Sequence, residues 1–213
     1  MAHSEIDAIR TLLGSKPRPV GWSERRERLD EVGSTWPVAP DVQCEAVDCD
    51  GVAGEWSIAP GSEPSCALLY FHGGGYCSGS IASHRRLVTE AGRAARSRTL
   101  ATKDAIDPLI HKAYLEELAD AYAPPSIDRR DPLISPLLAD LAGFPPVLIQ
   151  VGSAETLLAD ATRLAEAAGA ADVDVTLQIW PHMIHAWPVW NASLQDGRRA
   201  LVYAGQFIRA HIR

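Results

Sequence analysis

Apolar and polar positions follow two alternating periods along the chain, and their order predicts an α/β domain. A period near 3.6 residues predicts helices over residues 4–14, 22–32, 81–97, 106–122 and 155–169. An apolar stripe of Leu194, Leu201, Ala204 and Ile208 predicts a closing helix. Alternation, or a continuous apolar run, predicts strands over residues 42–49, 52–59, 66–72, 147–152 and 173–180. Strands that alternate with helices favour a mostly parallel sheet.

Composition narrows the classes of partner. The 213 residues fit one α/β domain, and the net charge of −7 argues against nucleic acid or an anionic membrane as a partner. No apolar run approaches the ~20 residues of a membrane span, and the first residues lack the pattern of a signal peptide. Four cysteines are too few for a disulfide scaffold, so we expect reduced thiols and a cytoplasmic protein. A Cys44–Cys49 bridge stays open as an alternative.

The strongest chemical signal is the segment His72-Gly73-Gly74-Gly75-Tyr76, which follows the apolar run 66–71. Glycines in this position can present successive backbone N–H groups to one point, which suits the stabilisation of an oxyanion during acyl transfer. A turn that only reverses the chain is the alternative interpretation.

Two further segments follow predicted strands, where open α/β sheets place their sites. Glu155 lies in the turn after strand 147–152, and His185 follows strand 173–180. Glu155 could instead complement a helix dipole, and His185 could be a packed residue of a tryptophan-rich loop. His182 and His185 could form a metal pair, but no third ligand is evident, so no metal is expected.

Together these segments resemble the hormone-sensitive-lipase-like family of α/β-hydrolases, and within it the microbial carboxylesterases. The pairs Gly79-Ser80, Asp131-Pro132 and Ser135-Pro136 support the resemblance. It implies an α/β-hydrolase-type sheet over residues 36–213 with an N-terminal cap of helices over residues 1–35. It also implies small acyl-ester substrates and no cofactor. The implied site residues are His185 as general base, Glu155 as triad acid, Gly74 and Gly75 as oxyanion-hole donors, and His72, Gly73 and Tyr76 as supports of that loop.

One departure from the family is large. The nucleophile elbow Gly-x-Ser-x-Gly is absent from the sequence, and the chain passes from Leu100 to Ala101 where the family continues into the elbow segment. The absent part corresponds to about three βα units, on the order of 100 residues. Loss of the central strands predicts a reduced sheet in which strand 66–72 pairs directly with strand 146–151.

No other residue replaces the elbow serine in the sequence pattern. Ser78, Ser80, Ser153 and Cys77 lie near the predicted site, but none occupies a strand–turn–helix elbow. Two hypotheses therefore remain. The chain is a carboxylic ester hydrolase by descent that lacks its nucleophile, or it is a non-catalytic relative: a pseudoenzyme, a gene-model artefact or an acyl-binding remnant.

Overall fold

The computed structural model describes residues 3–75, 78–102, 112–124 and 126–212 of the chain. They fall into two compact units, the first formed by residues up to 107 together with 186–213, and the second by residues 108–185. The helices are α1 (Ser4–Gly14), α2 (Trp22–Gly33), α3 (Ile81–Ala95), α4 (Lys112–Tyr122), α5 (Leu158–Ala170) and α6 (Gln195–His211). The strands are β1 (Gln43–Cys49), β2 (Val52–Ile58), β3 (Glu63–Phe71), β4 (Ser97–Thr102), β5 (Val147–Gly152) and β6 (Val175–Trp180).

The first unit contains a four-stranded sheet in the order β1-β2-β4-β3. β1 and β2 form an antiparallel hairpin, β4 pairs antiparallel with β2, and β3 pairs parallel with β4. Helix α3 connects β3 to β4, which makes a parallel βαβ unit. The second unit contains the parallel pair β5–β6, connected in the same way by α5.

The predicted direct pairing of strand 66–72 with strand 146–151 is wrong. In the part of the chain that the structure describes, β3 pairs with β4 and β5 pairs with β6, in two separate sheets. Each strand takes the partner that its own crossover helix brings to it, and consecutive elements usually neighbour each other for this reason. The α/β class of the fold is nonetheless as expected.

The sequence pattern placed several helix ends a few residues off. The helix expected over 81–97 ends at Ala95, because Arg96 takes a left-handed conformation with φ of 55° and Ser97 opens β4. The helix expected from residue 155 begins at Leu158, after the turn that carries Glu155. The helix expected over 106–122 is present from Lys112, and its earlier residues lie outside the described part of the chain.

Close helix contacts organise the core of the first unit. A Cβ added to Gly205 of α6 would lie 2.4 Å from the backbone of Ala94 in α3. The backbones of these two helices are therefore in direct contact where the helices cross. A Cβ on Gly33 of α2 would likewise lie 2.2 Å from the carbonyl oxygen of Ser83. The largest fully buried apolar side chains here are Trp187, Trp190, Ile6 and Leu194.

One strand of the first unit is poorly covered. Along β3, alternate side chains are exposed, including Leu69 at 52% and Phe71 at 71%. A continuous apolar run is usually typical of a strand that is buried on both faces, so the exposure of these side chains differs from what the sequence pattern predicts.

The second unit has a smaller core, built where α5 packs on its strands. Leu141, Ala168 and Val173 are buried there, and Val147 and Leu164 pack against them. Across the described residues, no helix combines the length and apolar character needed to cross a membrane.

Candidate active site

The glycine loop after β3 has the backbone geometry that explains its glycines. Gly74, Gly75 and Gly79 have φ values of 137°, 62° and 90°, a region that other residues rarely adopt. A Cβ on Gly79 would lie 2.5 Å from the carbonyl oxygen of Gly73, so this position also needs glycine for space. Tyr76, a predicted support of the loop, lies outside the described residues.

Local hydrogen bonds close the loop on itself. The backbone N–H and the hydroxyl of Ser78 both donate to the carbonyl oxygen of Gly74, at 3.1 and 2.9 Å. His72 is buried, and its Nδ1 lies 3.1 Å from the carbonyl oxygen of Gly73. The resemblance assigned His72 and Gly73 as supports of the oxyanion loop, and the structure places them side by side at its start.

A second histidine supports the loop, and sequence reasoning missed it. His84, on the first turn of α3, stacks on His72 with ring centroids 5.2 Å apart. Its Nδ1 lies 2.9 Å from the hydroxyl oxygen of Ser83. Burial, together with the neighbouring His72, lowers the pKa of His84 to about 4. Its position in an amphipathic helix gave no chemical signal, because any buried residue would fit that face.

The other predicted site lies in the second unit, at the ends of β5 and β6. Nδ1 of His185 lies 3.2 Å from Oε1 of Glu155. The second carboxylate oxygen, Oε2, accepts a hydrogen bond of 2.8 Å from the backbone N–H of Gly152. Glu155 is thus held at both oxygens, and its side chain is 5% exposed against 19% for His185. The two residues that the sequence assigned to one triad are in contact.

Backbone contacts between the two turns make this meeting possible. The N–H of Ser153 donates to the carbonyl oxygen of Trp180 at 2.8 Å, and that of Ala154 donates to Met183 at 3.0 Å. These bonds join the turn after β5 to the last residue of β6 and to the loop that follows it. Because β5 and β6 are parallel neighbours, both segments leave the sheet at the same end.

Gly152 is a further site residue that the sequence analysis did not single out. A Cβ at this position would lie 2.1 Å from the carbonyl oxygen of Met183 and 3.1 Å from Oε2 of Glu155. Only glycine lets the loop that carries His185 approach the end of β5. Its place as the last residue of a buried strand was the available signal.

A groove opens beside the pair, with a volume of about 670 Å³. Its walls come from the 3-10 helix Pro136–Leu138, from β5 and from one side of α5. The residues that line it include Leu137, Leu138, Ile149, Val151, Leu164, Asp160, Arg163, Glu155 and His185.

The candidate replacement nucleophiles have structural roles. The hydroxyl of Ser80 donates to Asp30 while it caps α3, and Ser78 closes the glycine loop. The hydroxyl oxygen of Ser153 accepts a 2.8 Å hydrogen bond from the backbone N–H of His182. Cys77 lies outside the described residues. Within the described ranges, no cluster of three or more histidine, cysteine, aspartate or glutamate side chains could hold a metal ion.

This geometry defines what the pair can do. A buried carboxylate on Nδ1 fixes the imidazole in one tautomer and stabilises a positive charge on the ring. The opposite nitrogen, Nε2, can then accept a proton. A general base and the acid that orients it use an arrangement of this kind.

The chain is similar to known α/β-hydrolases and esterases. The family model for the α/β hydrolase fold matches residues 91–189. An acetyl-hydrolase of Streptomyces hygroscopicus is 27% identical over 98% of this chain and 97% of its own length. An esterase of Acinetobacter venetianus is 37% identical over 47% of this chain, which is 33% of that esterase.

Solved structures agree along the whole chain. An esterase from the bacterial hormone-sensitive lipase family superposes with a TM-score of 0.93 at 26% identity and covers 100% of both chains. An esterase/lipase from an uncultured bacterium gives a TM-score of 0.90 at 27% identity over 99% of each chain. The resemblance predicted from the sequence is confirmed.

Proposed function

Since the chain is an α/β-hydrolase similar to esterases of the hormone-sensitive lipase family, we propose that it retains the acid–base pair of an esterase but does not turn over esters. The observation that carries the proposal is the buried contact of Glu155 with Nδ1 of His185. In this proposal His185 is the general base and Glu155 orients it. Gly74 and Gly75 are the oxyanion donors, supported by His72, Gly73 and Tyr76.

The missing component is the nucleophile. Acyl transfer of this type needs a serine hydroxyl held against the base and below the oxyanion donors. The sequence contains no Gly-x-Ser-x-Gly elbow, and the hydroxyl groups of Ser78, Ser80 and Ser153 are engaged in hydrogen bonds. In a serine protease, loss of the nucleophile lowers turnover about 10⁶-fold. Without a nucleophile positioned beside it, the general base also loses most of the rate advantage that correct geometry provides.

The length of the alignment with a relative supports an internal deletion as the cause. The match to the Streptomyces acetyl-hydrolase extends over 300 residues, which a chain of 213 residues cannot fill without gaps. We place the gap between Leu100 and Ala101, within the residues that form β4. The uncovered side chains of Leu69 and Phe71 on β3 are consistent with lost neighbours.

The ligand class follows from the relatives and from the groove. Short-chain acyl esters are the proposed ligands, because the relatives are esterases and the groove beside His185 is mainly apolar. A cytoplasmic location belongs to this proposal too, and the free thiols of Cys44, Cys49 and Cys66 are compatible with it.

The test combines turnover with active-site labelling. The purified chain should hydrolyse p-nitrophenyl butyrate no faster than its His185→Ala variant, and a fluorophosphonate probe should leave it unlabelled. Stoichiometric labelling of any serine that His185→Ala abolishes would overturn the proposal. As a positive control, insertion of the elbow segment of a related esterase between Leu100 and Ala101 should restore labelling and hydrolysis.

A further inference from the structure

We propose that Asp30, on helix α2, is a positioning residue for the glycine loop, and that it acts through Ser80. Both residues and the loop belong to the same compact unit of the structure. The inference rests on the proposed function in one respect, which is that Gly74 and Gly75 of this loop are the oxyanion donors.

The end of the glycine loop lies directly against its start. A Cβ on Gly79 would lie 2.5 Å from the carbonyl oxygen of Gly73 and 3.1 Å from Nδ1 of His72. The next residue, Ser80, is the N-cap of α3. A contact that fixes Ser80 therefore also fixes the end of the loop and, through Gly79, its start.

A capping box holds Ser80 at the beginning of α3. The backbone N–H of Ser83 donates to the hydroxyl oxygen of Ser80 at 3.1 Å, and the backbone N–H of Ser80 donates to the hydroxyl oxygen of Ser83 at 2.7 Å. This reciprocal pair satisfies two backbone donors at the helix start. It requires a lone pair of the Ser80 oxygen to face Ser83, and a hydroxyl group rotates to suit its partners.

Asp30 supplies the partner that fixes this rotation. The Ser80 hydroxyl donates to Oδ1 of Asp30 at 2.5 Å, and the two residues are 50 positions apart in the sequence. A hydroxyl group has a single O–H to donate. Because Asp30 accepts it, the oxygen of Ser80 is left to accept from Ser83. Without Asp30 the hydroxyl could turn to donate to a nearby backbone carbonyl, and the capping box would weaken.

A second contact keeps Asp30 in place beside Ser80. Gly33 lies on the same face of α2 as Asp30, since residues three apart are neighbours on a helix surface. A Cβ on Gly33 would lie 2.2 Å from the carbonyl oxygen of Ser83, so α2 lies directly against the first turn of α3. Helix α2 therefore meets the start of α3 at two adjacent points, a backbone contact and the hydrogen bond of Asp30.

Hydrogen exchange would test the proposal, with the amide of Ser78 as the reporter. This amide donates to the carbonyl oxygen of Gly74 at 3.1 Å, so its exchange reports opening of the loop. Asp30→Ala should accelerate its exchange about fivefold more than that of the amides in the ladder between β1 and β2 of the same unit, a factor typical of the loss of one hydrogen bond. The backbone N–H signals of Gly74 and Gly75 in NMR spectra should shift in the same variant. A contact that only stabilised the unit would accelerate the loop and the ladder equally.

Matched variants separate positioning from helix stability. Asp30→Asn keeps an acceptor oxygen and should restore the exchange of the unaltered protein. Glu31→Ala is the control, because Glu31 is the next residue of α2 but pairs with Lys16 at 3.0 Å, and it should leave the Ser78 amide unchanged. In a Ser80→Ala background, Asp30→Ala should add no further acceleration, since Asp30 acts through Ser80.

Three outcomes would overturn the proposal. Two of them are equal acceleration of loop and ladder amides by Asp30→Ala, and an additive effect of Asp30→Ala in the Ser80→Ala background. The third is rapid exchange of the Ser83 amide in the unaltered protein, which requires no variant to fold. Ester turnover by the chain would instead refute the proposed function and leave the exchange of the loop as expected here.

Discussion

The imidazole rings of His72 and His84 lie stacked, with their planes inclined by 26° and each side chain almost fully buried. His72 opens the glycine loop, and His84 belongs to the first turns of the helix that follows it. Tyr70 approaches His84 from β3, and burial raises the pKa of that tyrosine, so it adds no charge near neutral pH. The low pKa of His84 keeps its ring neutral near pH 7, where it packs on the histidine that opens a loop built from glycines.

We expect this pair to make folding sensitive to acid. The pKa of His84 is about 4 in the folded protein and about 6.5 in an unfolded chain, so between these values the unfolded state binds the additional proton. The free energy of unfolding therefore has its full value above pH 6.5. It falls as the pH drops towards 4, by at most about 3 kcal/mol. Urea unfolding of the protein and of His84→Phe at pH 7.5 and 4.5 would measure this. Equal acid sensitivity of the two proteins would contradict the assignment.

Two glycine substitutions should have opposite effects. Gly152→Ala places a Cβ 2.1 Å from the carbonyl oxygen of Met183, so we expect a loss of about 1–3 kcal/mol in the free energy of unfolding. The contact of Glu155 with His185 should be disturbed as well, which the NMR signal of the His185 ring would report. Gly169→Ala is the control, because no atom lies within 4 Å of its added Cβ and the position is helical. It should be neutral or stabilise by up to about 1 kcal/mol. An unchanged Gly152→Ala protein would show that the loop approaches β5 less closely.

Exposed positions of β3 should tolerate polar residues. Phe71 is 71% exposed, so Phe71→Thr should change the free energy of unfolding by no more than about 0.5 kcal/mol. Leu194, which is outside β3, is the buried comparison. Its exposure is 0%, and Leu194→Ala should lower the free energy of unfolding by about 2–5 kcal/mol. Chemical unfolding of both variants would compare them. A large loss for Phe71→Thr would mean that this strand is covered in solution.

We also expect modest thermal stability. Two small sheets bury less apolar surface than one continuous sheet, and their unpaired edges favour association. Calorimetry should show no cooperative transition above about 60 °C, the upper part of the range for mesophilic domains. A sharp transition well above that temperature would contradict the expectation.

The sequence by itself determined most of the succession of elements and the contact of Glu155 with His185. Periodicity located the helices and five of the six strands to within a few residues, because each element must bury one face, but it did not predict β4. Glu155 and His185 could be paired in advance, since both follow strands that are consecutive along the chain and therefore become parallel neighbours joined by α5.

Only the tertiary structure decided which strands share a sheet and what surrounds the site. The expected pairing of strand 66–72 with strand 146–151 failed, because strand partners depend on long-range contacts that periodicity does not encode. The sequence could not predict, for the same reason, that His84 stacks on His72 or that Met183 closely approaches Gly152. A helix pattern shows that a position is buried but not which side chain it meets, and a glycine shows its purpose only when the atoms that would meet a Cβ are known.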